Sequence, residues 1–218
     1  MEISDCRIIV FAKAPVAGQV KTRLIPVLGA RGAAELHKRL TVHRLNTLSG
    51  TGITIDLWCT PSIQHEFFSR LQARYSVNLF QQQGRDLGER MAFAFEASLQ
   101  RSHKAVIVGT DCPQLGNRDI MLAFDRLEQG DDAVISPAED GGYGLLGLRR
   151  FNNSIFMGVE WGTANVLEHT RNRLVQLRWK WTELDTCWDV DRTEDLPRLE
   201  KLDSSFFANL PIVVNTFL

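Results

Sequence analysis

Apolar and polar positions along this chain switch repeatedly between a period of two and a period near 3.6. Ala105-Val106-Ile107-Val108, with three β-branched residues in four, predicts a strand buried on both faces, as in a parallel sheet. Residues 7–11 read the same way. A helix is predicted over 30–48, where Ala33, Leu36 and Leu40 recur at spacings of three and four. Ile53, Ile55 and Leu57 alternate as a strand, a helix follows over 63–74, and 77–80 is a third short strand. Leu87, Met91, Phe95 and Leu99 share one helical face, as do Ile120, Phe124 and Leu127 after the strand at 105–108. Residues 133–136 form a further buried strand. This order of units predicts an α/β fold, a three-layer α/β/α sandwich around a mostly parallel sheet. Toward the C-terminus Val175, Leu177, Trp179 and Trp181 alternate with Gln176, Arg178 and Lys180, which predicts a half-exposed edge strand and a mixed sheet. Leu196, Leu199 and Leu202 mark a last helix, with Asp191, three residues before Glu194, as its expected N-cap.

No repeat, low-complexity segment or linker composition interrupts the pattern, so residues 1–218 are expected to form a single domain. The hydrophobic tail at 204–218 carries Phe206, Phe207, Leu210, Ile212, Val213 and Val214, which are expected to pack on this domain or on a second copy in a homodimer. Composition narrows the function classes. With 44% hydrophobic and 23% charged residues and a formal net charge of -1, the chain has no bulk attraction for nucleic acid or anionic lipid. Any polyanion must be held locally. Cys6, Cys59, Cys112 and Cys187 are scattered without a Cys-x-x-Cys pair, which argues against a zinc site or disulfide framework and for reduced thiols. The start lacks a basic segment followed by an apolar core, and no run approaches 18 apolar residues, so a cytoplasmic location without a membrane span is expected.

Two familiar motifs fail on context. Gly142-Tyr143-Gly144-Leu145-Leu146-Gly147 has the spacing of a dinucleotide fingerprint, yet Leu145, Leu146 and Leu148 read as strand, and the fingerprint works only when a helix N-terminus receives the pyrophosphate. Gly18-Gln19-Val20-Lys21-Thr22 lacks the glycine a P-loop needs directly before its lysine. The five histidines have no ligand or triad spacing.

Four segments survive. Residues 13–24, with Lys13, Gly18, Lys21 and Arg23, form a loop after the first strand whose N–H groups and cations can wrap a phosphate chain. Thr110 and Asp111 close the strand at 105–108, and carboxyl ends of strands are where open α/β sheets bind ligands. Asp140-Gly141-Gly142-Tyr143 is a turn that allows close backbone approach and offers an aromatic hydroxyl. Asp189 and Asp191, if extended, point to opposite faces, although a turn can bring them together.

In these segments the chain resembles the glycosyltransferase-A-fold superfamily of nucleotide-diphosphosugar transferases. Within it, the chain is similar to the small bacterial glycosyltransferase-like family of the arsenosugar-biosynthesis type, which is related to the guanylyltransferases of phospholactate and molybdenum-cofactor metabolism. The resemblance rests on Phe11-Ala12-Lys13-Ala14-Pro15 with Val20-Lys21-Thr22-Arg23-Leu24, on Gly109-Thr110-Asp111-Cys112-Pro113, on Asp140-Gly141-Gly142-Tyr143, on Trp161-Gly162-Thr163, and on Asp189-Val190-Asp191 with Glu194-Asp195-Leu196. It covers residues 7–198 in family order. The resemblance implies a transferase that uses Mg2+ or Mn2+ and a nucleotide donor. Asp111, Asp189 and Asp191 would be metal ligands, and Asp111, Lys21 and Arg23 the catalytic groups. Lys13, Gly18, Lys21, Arg23, Thr110, Asp140, Gly141, Gly142 and Tyr143 would contact the donor. Glycosyl transfer from a nucleotide sugar to a small acceptor is the first expectation. Nucleotidyl transfer from a nucleoside triphosphate to a small phosphorylated acid is the alternative, and a nucleotide-binding protein without turnover the second alternative. Two departures bear on the choice: Asp111 is followed by Cys112-Pro113 rather than a second aspartate, and Arg192 replaces a small hydroxyl residue.

Overall fold

The computed structural model describes residues 2–210. It is built on a seven-stranded sheet in the order β3-β2-β1-β4-β6-β5-β7. The strands are β1 (Cys6–Lys13), β2 (Thr54–Thr60), β3 (Asn78–Gln81), β4 (Lys104–Val108), β5 (Ala133–Pro137), β6 (Tyr143–Leu148) and β7 (Trp181–Glu183). The helices are α1 (Ile25–Ser49), α2 (Glu66–Tyr75), α3 (Leu87–Leu99), α4 (Asn117–Glu128), α5 (Val166–Gln176) and α6 (Leu196–Leu202).

The continuous apolar runs are explained by cover on both sides. Ile8, Val10, Val106 and Val108 face one core with Leu45 and Leu48 of α1, Phe68 of α2 and Phe124 of α4. Their neighbours Ile9, Ala105 and Ile107 face a second core with Met91 and Phe95 of α3 and Leu167 and Leu174 of α5. Successive side chains of a strand point to opposite faces, so a strand with helices on both sides must be apolar at every position. This is the expected α/β/α sandwich. A third cluster joins Leu28, Leu36 and Leu40 of α1 to Leu196 and Leu199 of α6. Phe206 and Leu210 pack into it, so this part of the tail lies on its own chain, whereas Ile212, Val213 and Val214 fall outside the described residues.

Neighbouring strands pair in parallel except at β6, which is antiparallel to both β4 and β5. The antiparallel strand is thus β6, entered by a tight turn at 138–142, in which Ala138 N donates to Gly142 O at 3.0 Å and Gly141 N to Ala138 O at 3.0 Å. Because β6 starts where β5 ends, its first residue stands at the same sheet edge as the carboxyl ends of the other strands.

Two expectations need correction. The alternation at 175–181 is not a strand: α5 runs to Gln176, and only Trp181–Glu183 pairs, beside β5 at the sheet edge. Leu174 is fully buried while Val175 is 61% exposed, so the apolar alternation started one residue past the true core position. The helix ends in a Schellman arrangement, with Arg178 left-handed (φ 54), Trp179 N donating to Leu174 O at 3.0 Å and Arg178 N to Val175 O at 2.9 Å. Asp191 is not the cap of the last helix either. Asp195 Oδ2 instead accepts from Asp191 N (2.9 Å) and Arg192 N (2.6 Å), because a short 3-10 turn at Thr193–Asp195 precedes α6. The helix predicted to begin at 30 agrees with a kink in α1 at Gly29 (φ 66, ψ 164). Among the described residues no helix is long and apolar enough to cross a membrane.

Candidate functional site

The chain lays β1, β2 and β3 outward in one direction, then returns to place β4 on the other side of β1. At such a reversal the loops leaving adjacent strands diverge and open a crevice. A cleft of about 420 Å3 lies there, reaching across to the turn between β5 and β6. Of the residues expected at a site, Lys13, Thr110, Asp111, Asp140, Gly142, Tyr143 and Asp189 line it.

Each reaches the cleft by a definable route. Past β1 the chain bends through Ala14–Gln19, where Val16 N donates to Ala14 O and Gln19 N to Val16 O. Lys13 Nζ donates to Gln19 O at 2.8 Å, closing the bend on itself, and Gly18 at φ 80 is exposed on its outside. Lys21 follows in a left-handed conformation (φ 46) that turns its side chain inward. Its ammonium is 4% exposed and stands 2.8 Å from Asp111 Oδ1. Burial alone would push the Asp111 carboxyl up, but the Lys21 ammonium, together with hydrogen bonds from Lys21 and Thr110, outweighs it and holds it below the usual carboxylate range. Asp111 is therefore an anion at neutral pH, paired on one side and 46% exposed toward the cleft.

Arg44 holds the loop that carries Asp111. This fully buried guanidinium on α1 donates to the carbonyls of Gly109 (3.1 Å), Cys112 (2.5 Å) and Leu115. The second acidic segment docks on the same loop, as Val190 N donates to Asp111 O at 2.9 Å. Val190 is buried, and the carboxylates on either side of it part. Asp189 lines the cleft, whereas Asp191 pairs with Arg23 outside it. The three carboxylates expected to form one ligand set are thus divided: Asp111 and Asp189 share the cleft, and Asp191 is committed to Arg23. Among the described residues no group of three or more His, Cys, Asp or Glu side chains is arranged to hold a metal ion. Asp189 has no ion-pair partner among the described residues, and burial, Asp140 and Asp191 push its carboxyl up, against a weaker pull from Lys21.

The turn between β5 and β6 supplies the far wall. Asp140 Oδ1 accepts from Gly142 N at 2.9 Å, which shapes the turn. Gly141 is positioned for packing rather than for a ligand. At φ 88 it lies against the loop before α5, where a Cβ would come within 2.6 Å of Ala164 Cα, and its carbonyl accepts from Leu167 N at 2.9 Å. Tyr143 lies half-buried against Met91, and burial raises its phenol well above the ordinary value. Gly18, Lys21, Arg23, Gly141 and Asp191 do not line the cleft itself.

Several residues that line the cleft were not expected from the sequence. His37 is buried with Nε2 2.9 Å from Lys13 O, and burial lowers its pKa, so it is a neutral ring donating to that carbonyl. Gln82 donates to Trp58 O at 2.9 Å, and Leu87, Met91 and Trp161 give the cleft an apolar side. A signal for two of the missed residues existed: His37, Thr41, Arg44 and Leu48 follow one another at helical spacing on the buried side of α1.

Comparison with known proteins agrees with this architecture. Residues 43–163 match the family described as "Uncharacterized protein conserved in bacteria (DUF2064)". A crystal structure of a protein from Desulfovibrio desulfuricans G20, provisionally named a nucleotide-diphospho-sugar transferase, superposes with a TM-score of 0.84 at 31% identity, covering 94% of this chain and 93% of that one. The 4-diphosphocytidyl-2C-methyl-D-erythritol synthase of Anaerococcus prevotii DSM 20548 shares the fold at 11% identity and a TM-score of 0.60, over 92% of this chain and 99% of that one. A CMP:2-keto-3-deoxy-manno-octonic acid synthetase complexed with CTP does so at 10% identity and 0.57, over 93% and 99%. No curated protein sequence matches. The chain belongs to the DUF2064 family and has the fold of the nucleotide-diphosphosugar transferases.

Proposed function

We propose that this protein is a transferase that takes a nucleotide sugar as donor and passes the glycosyl group to a small-molecule acceptor, with Mg2+ or Mn2+ bound at Asp111 and Asp189. The observation that carries the reading is the buried Lys21 ammonium 2.8 Å from Asp111 at the switch point of the sheet, with the unpaired Asp189 carboxylate in the same cleft. A divalent cation fits this donor set. Magnesium keeps several waters and is commonly held by one or two carboxylates together with substrate phosphates, so two side chains suffice. Burial first, and then the charges of Asp140 and Asp191, push the Asp189 carboxyl up, and a bound cation would favour its ionised form. When bound, the ion would stabilise the charge that builds on a diphosphate leaving group.

The chain's own residues do the rest. Lys21 neutralises phosphate charge from the β1 side while keeping Asp111 ionised. Lys13 adds a second cation at the cleft mouth. Leu87, Met91, Tyr143 and Trp161 shield the apolar wall from water, which strengthens the electrostatic contacts opposite. No covalent nucleophile is needed.

The second reading, nucleotidyl transfer with release of pyrophosphate, is favoured by one feature: Asp111 stands without a second aspartate beside it. The released product separates the two. A panel of nucleotide sugars and nucleoside triphosphates, each with and without Mg2+ or Mn2+, is read first by thermal shift and then by product analysis. A ligand at about one hundred times its Kd adds roughly 2.7 kcal/mol, or about 5 to 11 °C for a chain of this size. A metal-dependent shift with nucleotide sugars and release of a nucleoside diphosphate supports glycosyl transfer. A shift confined to a triphosphate, with pyrophosphate released, replaces it by the second reading. The absence of any shift with the wild-type protein would refute both.

A further inference from the structure

The cleft contains a chemistry that group transfer does not use. Cys112 follows Asp111, and Cys187 stands two residues before Asp189, so each acidic segment carries a cysteine at its flank. The two sulfurs are 3.7 Å apart although they are 75 residues apart in the chain. Both thiols are free, with Cys187 1% exposed and Cys112 5% exposed and lining the cleft. The neighbourhood is built around them: a Cβ at Gly144 would come within 2.8 Å of Cys112 Sγ and closer still to Cys187 Sγ, so glycine leaves the room the pair occupies. The other two cysteines do not share this setting. Cys59 packs inside β2 with its sulfur 3.5 Å from Leu57 O rather than beside a second thiol.

We propose that Cys112 and Cys187 are a modification site, a dithiol that a small peroxide entering the cleft converts to a reversible disulfide, and that closing it weakens nucleotide binding. The sulfur of Cys112, which faces the cleft, attacks one peroxide oxygen. The O–O bond breaks, a sulfenic acid forms, and the departing hydroxide takes the thiol proton as water. The sulfur of Cys187 then attacks the Cys112 sulfur, the S–S bond forms, the S–O bond breaks, and the second water leaves with the Cys187 proton. Two electrons pass from the sulfurs to one hydrogen peroxide, giving two waters, and a dithiol reductant reverses the change by exchange.

Closure must act on the cleft because the backbones on both sides are anchored. Cys112 O is held by Arg44 Nη2, Cys187 N donates to Pro137 O at 2.7 Å, and Cys187 O accepts from Glu139 N at 3.0 Å. Shortening the sulfur separation from 3.7 Å to a bond of about 2.05 Å therefore ties together the two held segments that carry Asp111 and Asp189, and limits how they adjust to a bound nucleotide. The bond itself does not depend on the transferase reading, but the effect on nucleotide rests on it.

The test uses the full chain with limiting hydrogen peroxide. Expected are an intact mass lower by two hydrogens, a fall in titratable thiols from four to two, a peptide linking 112 to 187, and nucleotide binding weakened about tenfold and restored by dithiothreitol. Cys112→Ser and Cys187→Ser, made singly, should each prevent the link and leave binding insensitive to peroxide. If either variant fails to fold, the peptide map of the wild-type protein decides alone. A link through Cys6 or Cys59, oxygen addition without a link, or a link that leaves nucleotide affinity unchanged overturns the proposal. If the reduced wild-type protein binds no nucleotide in the panel, the transferase reading falls, and the disulfide stands or falls on the peptide map.

Discussion

Replacing Arg44 by Met tests whether one buried side chain organises the Asp111 loop. The guanidinium is fully buried and serves the carbonyls of Gly109, Cys112 and Leu115. A hydrogen bond to a charged group contributes about 1.5 to 3 kcal/mol, so three amount to roughly 4.5 to 9. Met removes the buried charge and recovers its desolvation cost, which is several kcal/mol per ion. The expected net loss is about 2 to 4 kcal/mol, or a fall in Tm on the order of 10 °C. Urea denaturation should show a lower midpoint at unchanged slope. Leu45→Ala, a core truncation on the same helix, should cost a similar 2 to 5 kcal/mol. The two variants should differ in binding: below their melting temperatures Leu45→Ala keeps the nucleotide-induced shift and Arg44→Met loses it. Arg44→Lys should be no better than Met, because an ammonium keeps the buried charge without the planar fork that spans three carbonyls. Full rescue by Lys, or unchanged nucleotide binding in Arg44→Met, would refute the reasoning.

Three further outcomes are expected. Lys21→Met should change the free protein's stability by no more than about 1 kcal/mol, since Asp111 keeps access to solvent, but should weaken nucleotide binding at least tenfold in titration calorimetry. Asp189 has a raised pKa, so its ionised form opposes folding, and that penalty is fully present above the folded pKa and disappears as pH falls below the unfolded value. Asp189→Asn should therefore melt higher than wild type at pH 7, with the gap closing toward about pH 4, and should lose any stabilisation by Mg2+; a gap that widens on acidification would contradict this. Gly141→Ala must adopt a positive φ and displace Ala164, and should lower stability by at least about 1 to 3 kcal/mol in denaturant titration.

How much of this was legible in the sequence depended on whether a residue's partners were local. The strand at 105–108 could be read because burial on both faces demands an unbroken apolar run. Asp56 shows the limit. It reads as an outward position of an alternating strand, yet it is fully buried, held by Arg7 (3.2 Å), Arg101 (3.1 Å) and Asn78 (3.0 Å). Those partners lie 49, 45 and 22 residues away, beyond the reach of any periodicity. The edge strand misread at 175–181 failed for a related reason: a helix end and a short strand produce an apolar alternation whose meaning depends on which residue, Leu174 or Val175, meets the sheet.

The same division runs through the site. Local pattern determined the layers, the strands and helices up to residue 148, and the four loops that hold the candidate chemistry, because periodicity, turn residues and chain order are properties of neighbouring positions, whereas α5 was not read from it. Pairing among those loops was decided by the tertiary structure. Lys21 closes on Asp111 and Arg23 on Asp191, Asp189 is left unpaired in the cleft, Gly141 serves packing, and Arg44 stands beneath the loop it supports. An ion pair or a hydrogen bond acts over a few ångströms in space, and only the folded backbone brings together residues that are 90 or 168 positions apart.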